Sequence, residues 1–293
     1  MKRSYTNKHY PVVFLVPILL IFTVFYLSPA LLGLLYSVTD ASITTSGIRF
    51  VGLENYKLVF SEGSAFVTSI WNQFKFAFFD SFGKTILGLL IAVLLNRKFK
   101  GNHLLRALVY MPIMFGTIVV GIVFNYILSY EGFFNGMLKS AGLGGLARDW
   151  LGDFDLALYS VIAVDVWVGV GWSVLLILAA LQSVPKEIME CAEIDGAGPV
   201  RRFFSMTLPF ILHAVNLSFL LSVISGLKAF EIIYAMTGGG PGHATEVMTT
   251  FLAKSMSSGS IGYPAAISVC QFIIITVVAL TINHFASKRE MEA

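Results

Sequence analysis

Six runs of about 20 or more largely apolar residues, at 11–36, 68–95, 104–128, 157–182, 208–235 and 263–286, constrain this chain more than any other feature. Each is long enough to cross the roughly 30 Å hydrocarbon layer of a bilayer as a helix. Only 13% of the 293 residues are charged, against about 25% in an ordinary soluble domain, so lipid is the expected solvent. A backbone that faces lipid must satisfy its hydrogen bonds within its own segment, and the period-2 alternation of a transmembrane barrel is absent. The expected fold class is an all-α integral membrane protein with six transmembrane helices. The first run follows Lys2, Arg3 and Lys8, but its length of about 26 residues and its lack of a small-residue cleavage site fit a retained anchor better than a secretory signal.

Orientation follows from the loop cations, because cytoplasmic loops carry the Lys and Arg excess. With the amino terminus inside, one side holds Lys2, Arg3, Lys8, Arg97, Lys98, Lys100, Arg106, Lys186, Arg201, Arg202, Lys288 and Arg289, while the other holds Arg49, Lys57, Lys139, Arg148 and Lys254. Both termini and the loop near 190–209 are thus expected in the cytoplasm, with longer loops outside at 37–67, 129–156 and 236–262. Cys191 falls in a loop and Cys270 in the last run, so neither a disulfide nor a metal site is expected of them.

Residues 190–209, ECAEIDGAGPVRRFFSMTLP, form a polar island between two apolar runs. Ser183 can cap a helix of about 12 residues with Pro185 in its first turn, ended by Gly196, Gly198 and Pro199. Val184, Ile188, Cys191 and Ala192 fall on one stripe, with Lys186, Glu187, Glu190 and Glu193 around it. A second short helix is expected from Pro199, before a fifth membrane helix beginning at Pro209. Such a hairpin can lie on the inner leaflet or dock another protein through its small residues and rim charges. Three acids in its first helix favour docking over an anionic membrane surface.

Glu190, Cys191, Ala192, Gly196, Met206, Thr207, Leu208 and Pro209 carry a resemblance. They are similar, in type and spacing, to the Glu-Ala-Ala, three residues, Gly, nine residues, Ile-x-Leu-Pro signature of permease subunits of binding-protein-dependent ABC importers. Cys191 and Met206 depart from it but keep small or apolar character. FVGLENY at 50–56, LLRALVYMP at 104–112, AALQSVPKE at 179–187 and TGGGP at 237–241 resemble the sugar-permease branch, the maltose and glycerol-phosphate type.

The resemblance implies a type I ABC importer permease fold. Residues 1–67 would form an anchor helix and first outer loop, 68–286 a transmembrane core with a coupling loop at 183–208, and 287–293 a cytoplasmic tail. In that loop Glu190 would pair with a basic residue of a cytoplasmic ATPase. Cys191, Ala192 and Gly196, with Asp195 at the turn, would allow close approach, and Leu208 with Pro209 would pass movement to the spans. The implied partners are a second permease, two ATPase subunits that hold ATP and Mg, an extracytoplasmic sugar-binding protein and the lipid bilayer, with no nucleic acid. The implied location is a bacterial or archaeal plasma membrane.

Ionisable residues inside spans are expensive and face protein or a wet cavity. Asp80 and Lys84 are four apart and are expected to form an internal ion pair. Lys228 and Glu231, three apart in the fifth run, are expected to share a helix face. The resemblance places Asp165, Trp167, Ser225, Gly226, Lys228, Phe230, Glu231 and Tyr234 along a translocation path, where hydroxyl partners and aromatic faces suit a sugar. Gly238, Gly239, Gly240 and Pro241 would turn beneath the binding protein.

TGGGPG lacks a Walker lysine, and the GKT at 83–85 lacks the first Walker glycine because position 78 is Phe. No catalytic residue, cofactor or metal is therefore expected in this chain. A self-sufficient secondary transporter is the alternative, but it gives no reason for a spaced cytoplasmic motif. A membrane enzyme would need a clustered polar site, whereas His103, His213, His243 and His284 are scattered.

Overall fold

The computed structural model describes residues 15–44, 47–61, 63–97 and 99–291, and the side chains of all of these except 186, 189 and 283–291. Lys2, Arg3, Lys8 and Lys98 lie outside the described residues, as do the side chains of Lys186, Lys288 and Arg289. The described residues are helical apart from loops and two isolated bridges, Thr39 to Phe50 and Ser42 to Ser260. Among the described residues, six stretches are long and apolar enough to cross a membrane: Val16–Tyr36, Ala65–Leu95, Thr117–Ser140, Ala157–Ser183, Pro199–Leu227 and Gly262–Ile282.

Two compact units divide the chain. The first joins Met1–Ser61 to Lys254–Phe272, and the second joins Glu62–Ala253 to Ile273–Ala293. Residues 254–272 fall in the first of these units. The first unit contains helix α1 (Val16–Tyr36) and the short α2 (Glu54–Val59). Its loops are pinned by the segment read as VGLENY. The buried Asn55 Nδ2 donates to the carbonyls of Ser37 and Thr39 at 2.9 and 2.8 Å, and Tyr56 Oη donates to Ser37 Oγ at 2.8 Å. These bonds close the end of α1, where carbonyls lack helical partners.

The second unit is built on α3 (Ala65–Leu95), which begins at Ser64, whose hydroxyl accepts from the Phe66 N–H. The third apolar run is not one helix as expected from sequence. It divides into α4 (Asn102–Tyr110), a 3-10 turn at Met111–Met114 and α5 (Thr117–Leu128), with Phe115 and Gly116 extended between them. Pro112 has no N–H and cannot continue the ladder, and Gly116 caps the restart. The expected outer loops also hold helices, α6 (Phe133–Ser140) before the long α7 (Ala157–Ser183).

Helices α3 and α7 pack closely because glycines remove the side chain where they meet. A Cβ on Gly83 would lie 2.8 Å from Val166 Cγ2, and one on Gly88 would lie 2.5 Å from Ser173 Cβ. In lipid, where apolar side chains gain nothing by leaving the solvent, this backbone approach supplies the association.

After α7 come α8 (Lys186–Ile194) and α9 (Pro199–Leu227). Two details differ from the sequence reading. Ser183 does not cap α8: it is the last residue of α7, and its hydroxyl donates to Ala180 O at 2.8 Å. Nor is the helix that opens at Pro199 separate from the fifth span. It runs on through a π turn at Phe203–Thr207, where Leu208 N–H reaches back to Phe203 O. The cause is Pro209, which offers no donor and whose ring would press on the carbonyl four residues earlier; widening the ladder by one residue relieves both. The same device precedes Pro29, with a π turn at Thr23–Leu27 in α1.

Candidate functional site

The polar island folds into an elbow whose geometry explains its spacing. At the end of α8, Gly196 takes φ +75, its N–H donates to Glu193 O at 3.0 Å, and Ala197 N–H donates to Ala192 O at 3.0 Å. This is a Schellman closure, and it requires a left-handed residue at the glycine position. Gly198 then caps the next helix, Pro199 occupies its first turn, and Arg202 N–H bonds Gly198 O at 2.9 Å. Arg202 Nη1 donates to Glu193 Oε2 at 2.7 Å, clasping the two arms. With Glu193 70% exposed, that clasp contributes at most about 1 kcal/mol.

The faces of α8 do not divide as the sequence stripe implied. Ala192 is buried, 3% exposed, and Val184 and Ile188 are half-buried, so these three seat the helix on its own chain. Ala192 is thus buried within the chain, while Glu190, Cys191, Asp195 and Gly196 are exposed. Beside them Ile194 is 86% exposed and Val200 69%. Ile194 was missed from sequence, although it lies off the apolar stripe and so carried the signal. Leu208 is half-buried and Pro209 exposed at the π turn.

The residues expected along a path sort into two groups. Asp165 joins Asp80 around one cation: Lys84 Nζ lies 2.8 Å from Asp80 Oδ2 and 2.6 Å from Asp165 Oδ2. The pair expected between Asp80 and Lys84 is present, and its third member comes from α7. Gly169, one turn beyond Asp165, lets the Lys84 stem cross, since a methyl there would overlap it. Lys84 also borders a cleft of about 380 Å³ with Trp172, Ser218, Ser222 and Ser225. Trp167 is exposed and packs against Phe124, ring centroids 5.3 Å apart.

Lys228 and Glu231 do not share a helix. Helix α9 ends at Leu227 and α10 (Glu231–Met236) starts after a break in which Phe230 adopts φ -140. A break at membrane depth is tolerated only when other groups take up its backbone, and here they do. Gln73 Nε2 donates to Gly226 O at 2.7 Å, and Thr249 Oγ1, from α11 (Met248–Met256), donates to Ala229 O. Asn125 takes Met236 O, and Asn72 Nδ2 donates to His243 O and Glu246 O, each at 3.0 Å. Sequence reading missed these amides, whose only trace was their presence inside apolar runs. Lys228, Glu231 and Tyr234 are exposed, and Phe230 stacks on Tyr234 at 5.2 Å.

Gly226 belongs to packing. A Cβ there would lie 2.7 Å from Ala77 Cα, a backbone atom that cannot swing aside. Gly226→Val is expected to destabilise the purified chain by about 1–3 kcal/mol, read as a lower thermal midpoint in detergent. Gly136→Ala, which meets open space, is expected to leave the midpoint unchanged or raised. Of the glycine-rich turn, Gly238 and Gly239 take φ +59 and +93, Gly239 is buried, and Thr245 Oγ1 donates to Gly240 O at 2.7 Å. Gly240 and Pro241 border a cleft of about 420 Å³ with Asn125, Tyr130, Asp149 and Thr237.

Residues 84–290 match the family described as "Binding-protein-dependent transport system inner membrane component". The chain belongs to this family. The permease is 32% identical to the multiple sugar-binding transport system permease protein MsmF of Streptococcus mutans, over 99% of both chains. It is 33% identical to the trehalose/maltose transport system permease protein MalF of Thermococcus litoralis, over 97% of both. Its fold matches a chain of a bacterial ABC transporter involved in the import of the acidic polysaccharide alginate, with a TM-score of 0.82 over 94% of each chain at 20% identity. The architecture is that of a type I ABC importer permease.

Proposed function

We propose that this permease pairs with a second, related permease to form the path by which a carbohydrate, handed over by an extracytoplasmic binding protein, is driven across a plasma membrane. ATP and Mg act on two partner ATPase subunits, and both termini and the elbow face those subunits in the cytoplasm. The observation that carries this reading is the elbow itself. Its Schellman glycine stands at the family spacing, its inner face is seated through Ala192, and Glu190, Cys191 and Ile194 project from its outer face.

A carbohydrate is supported by the named substrates of the two sugar-system relatives and by the chemistry beside Lys84. Four serines, Lys84 and Trp172 border one cleft, which suits a ligand that carries hydroxyls around an apolar ring face. Asp165, Trp167, Ser225, Gly226, Lys228, Phe230, Glu231 and Tyr234 would lie along the path, with Gly238 to Pro241 toward the binding protein.

Gentle extraction of the chain is expected to bring down an ATPase in stoichiometric amount. Mass spectrometry of the ligand co-purified with the cognate binding protein is expected to find a sugar. Transport by this polypeptide alone, with no ATPase present, would sink the proposal in favour of a secondary carrier.

A further inference from the structure

Where the elbow meets the end of α3 there is a cleft of about 520 Å³ to which neither the coupling contact nor the substrate path assigns a role. Arg97 and Arg202 both border it, with Asn96 beside them and Val200, Phe203 and Phe204 forming apolar wall. Its charge is unbalanced. Arg202 spends Nη1 on Glu193, leaving its other N–H groups uncommitted to that carboxylate, and among the described residues Arg97 has no ion-pair partner. Two guanidiniums against one carboxylate leave one positive charge in excess.

The level of the cleft in the molecule is fixed by its walls. The apolar span Ala65–Leu95 ends two residues before Arg97, and the span Pro199–Leu227 begins three residues before Arg202. Both cations therefore stand where hydrocarbon gives way to headgroups. Phe204 and Val200, 62% and 69% exposed, border the same opening. Guanidinium groups bind phosphate oxygens through paired, planar N–H donors, and basic residues at this depth attract anionic lipid. A free anion would use the arginines but not the phenyl wall; a lipid uses both.

We propose that this cleft binds the phosphodiester headgroup of an anionic phospholipid, with its acyl chain against Phe203 and Phe204. The phosphate bridges Arg97 at the end of α3 to Arg202 at the start of α9. Because Arg202 already holds Glu193 of α8, the lipid completes a chain of contacts that braces the elbow against the second span.

The test uses the purified full-length chain and does not require transport. Native mass spectrometry with phosphatidylglycerol and phosphatidylcholine is expected to show selective retention of phosphatidylglycerol. Arg97→Ala, at an exposed position, is expected to lower that retention at least five-fold and leave phosphatidylcholine unchanged. Millimolar inorganic phosphate is expected to displace little of the bound lipid; full displacement would identify a free-phosphate site and overturn the lipid assignment. On the wild-type chain, phosphatidylglycerol carrying a photoreactive group near its headgroup is expected to label residues 93–97 and 199–207. Absence of label there, whether because the lipid binds elsewhere or because a partner protein fills the cleft, overturns the proposal, as does equal retention by the Arg97 variant.

Discussion

Lys84→Met is expected to lower the thermal midpoint of the purified chain by roughly 6–20 °C, and it should cost more than any exposed substitution in the elbow. Lys84 is the only cation within 4.0 Å of either Asp80 or Asp165 among the described residues, and Asp80 is wholly buried. Removing the ammonium leaves two carboxylates from different helices facing each other, Asp80 wholly buried and Asp165 only partly exposed. Breaking a buried pair in this way costs about 3–5 kcal/mol, and each kcal/mol moves the midpoint of a chain this size by roughly 2–4 °C.

Replacing all three groups with neutral residues of similar shape, Asp80→Asn, Lys84→Met and Asp165→Asn, removes the unpaired charge along with the partner. That triple variant is expected to recover most of the lost stability. If Lys84→Met melts with the wild type, the two carboxylates have found other support and the triad does not hold α3 to α7. If the triple variant is as unstable as the single one, packing volume and not charge is what Lys84 provides. The Arg202 to Glu193 clasp offers the contrast: with one partner mostly in water, its loss should be close to silent in the same measurement.

The two networks differ in how far sequence could reach them. Asp80 and Lys84 are one helical turn apart, so their pairing was legible. Asp165 is 81 residues beyond Lys84, and nothing local to either announces the contact. The same holds for the breaks. Apolar length alone marked the six spans because bilayer thickness dictates it, yet the run at 208–235 reads as one helix until Gln73, 153 residues before Gly226, supplies the amide that lets the helix stop at Leu227. Pairing Lys228 with Glu231 failed for that reason. The elbow was legible because its causes are local: a left-handed glycine, a proline in a first turn and a spacing set by one closing turn. Its facing was less so, since Cys191 and Ala192 are adjacent and equally small, and only the packed chain reveals that Ala192 is the one turned inward.

Glu190→Arg is expected to leave the chain folded and inserted, yet to abolish the rise in ATP hydrolysis that loaded binding protein produces in the reconstituted complex. Glu190 is exposed, makes no ion pair among the described residues, and takes no part in the Gly196 closure or in the seating of Ala192. The elbow should therefore keep its shape. The partner surface is what changes. Ile194, 86% exposed on a helix otherwise edged with charge, has the character of an apolar anchor, and Glu190 stands one turn before it, where a rim charge fixes register. Setting like charges against each other at such a rim costs several kcal/mol, enough to unseat α8 from the proposed ATPase partner without touching the membrane helices. Placing an acid on the ATPase residue that faces position 190 should restore stimulation if the contact is direct. Full stimulation by the Glu190→Arg complex would show that force enters the permease elsewhere, and the assignment of α8 as the coupling element would fall with it.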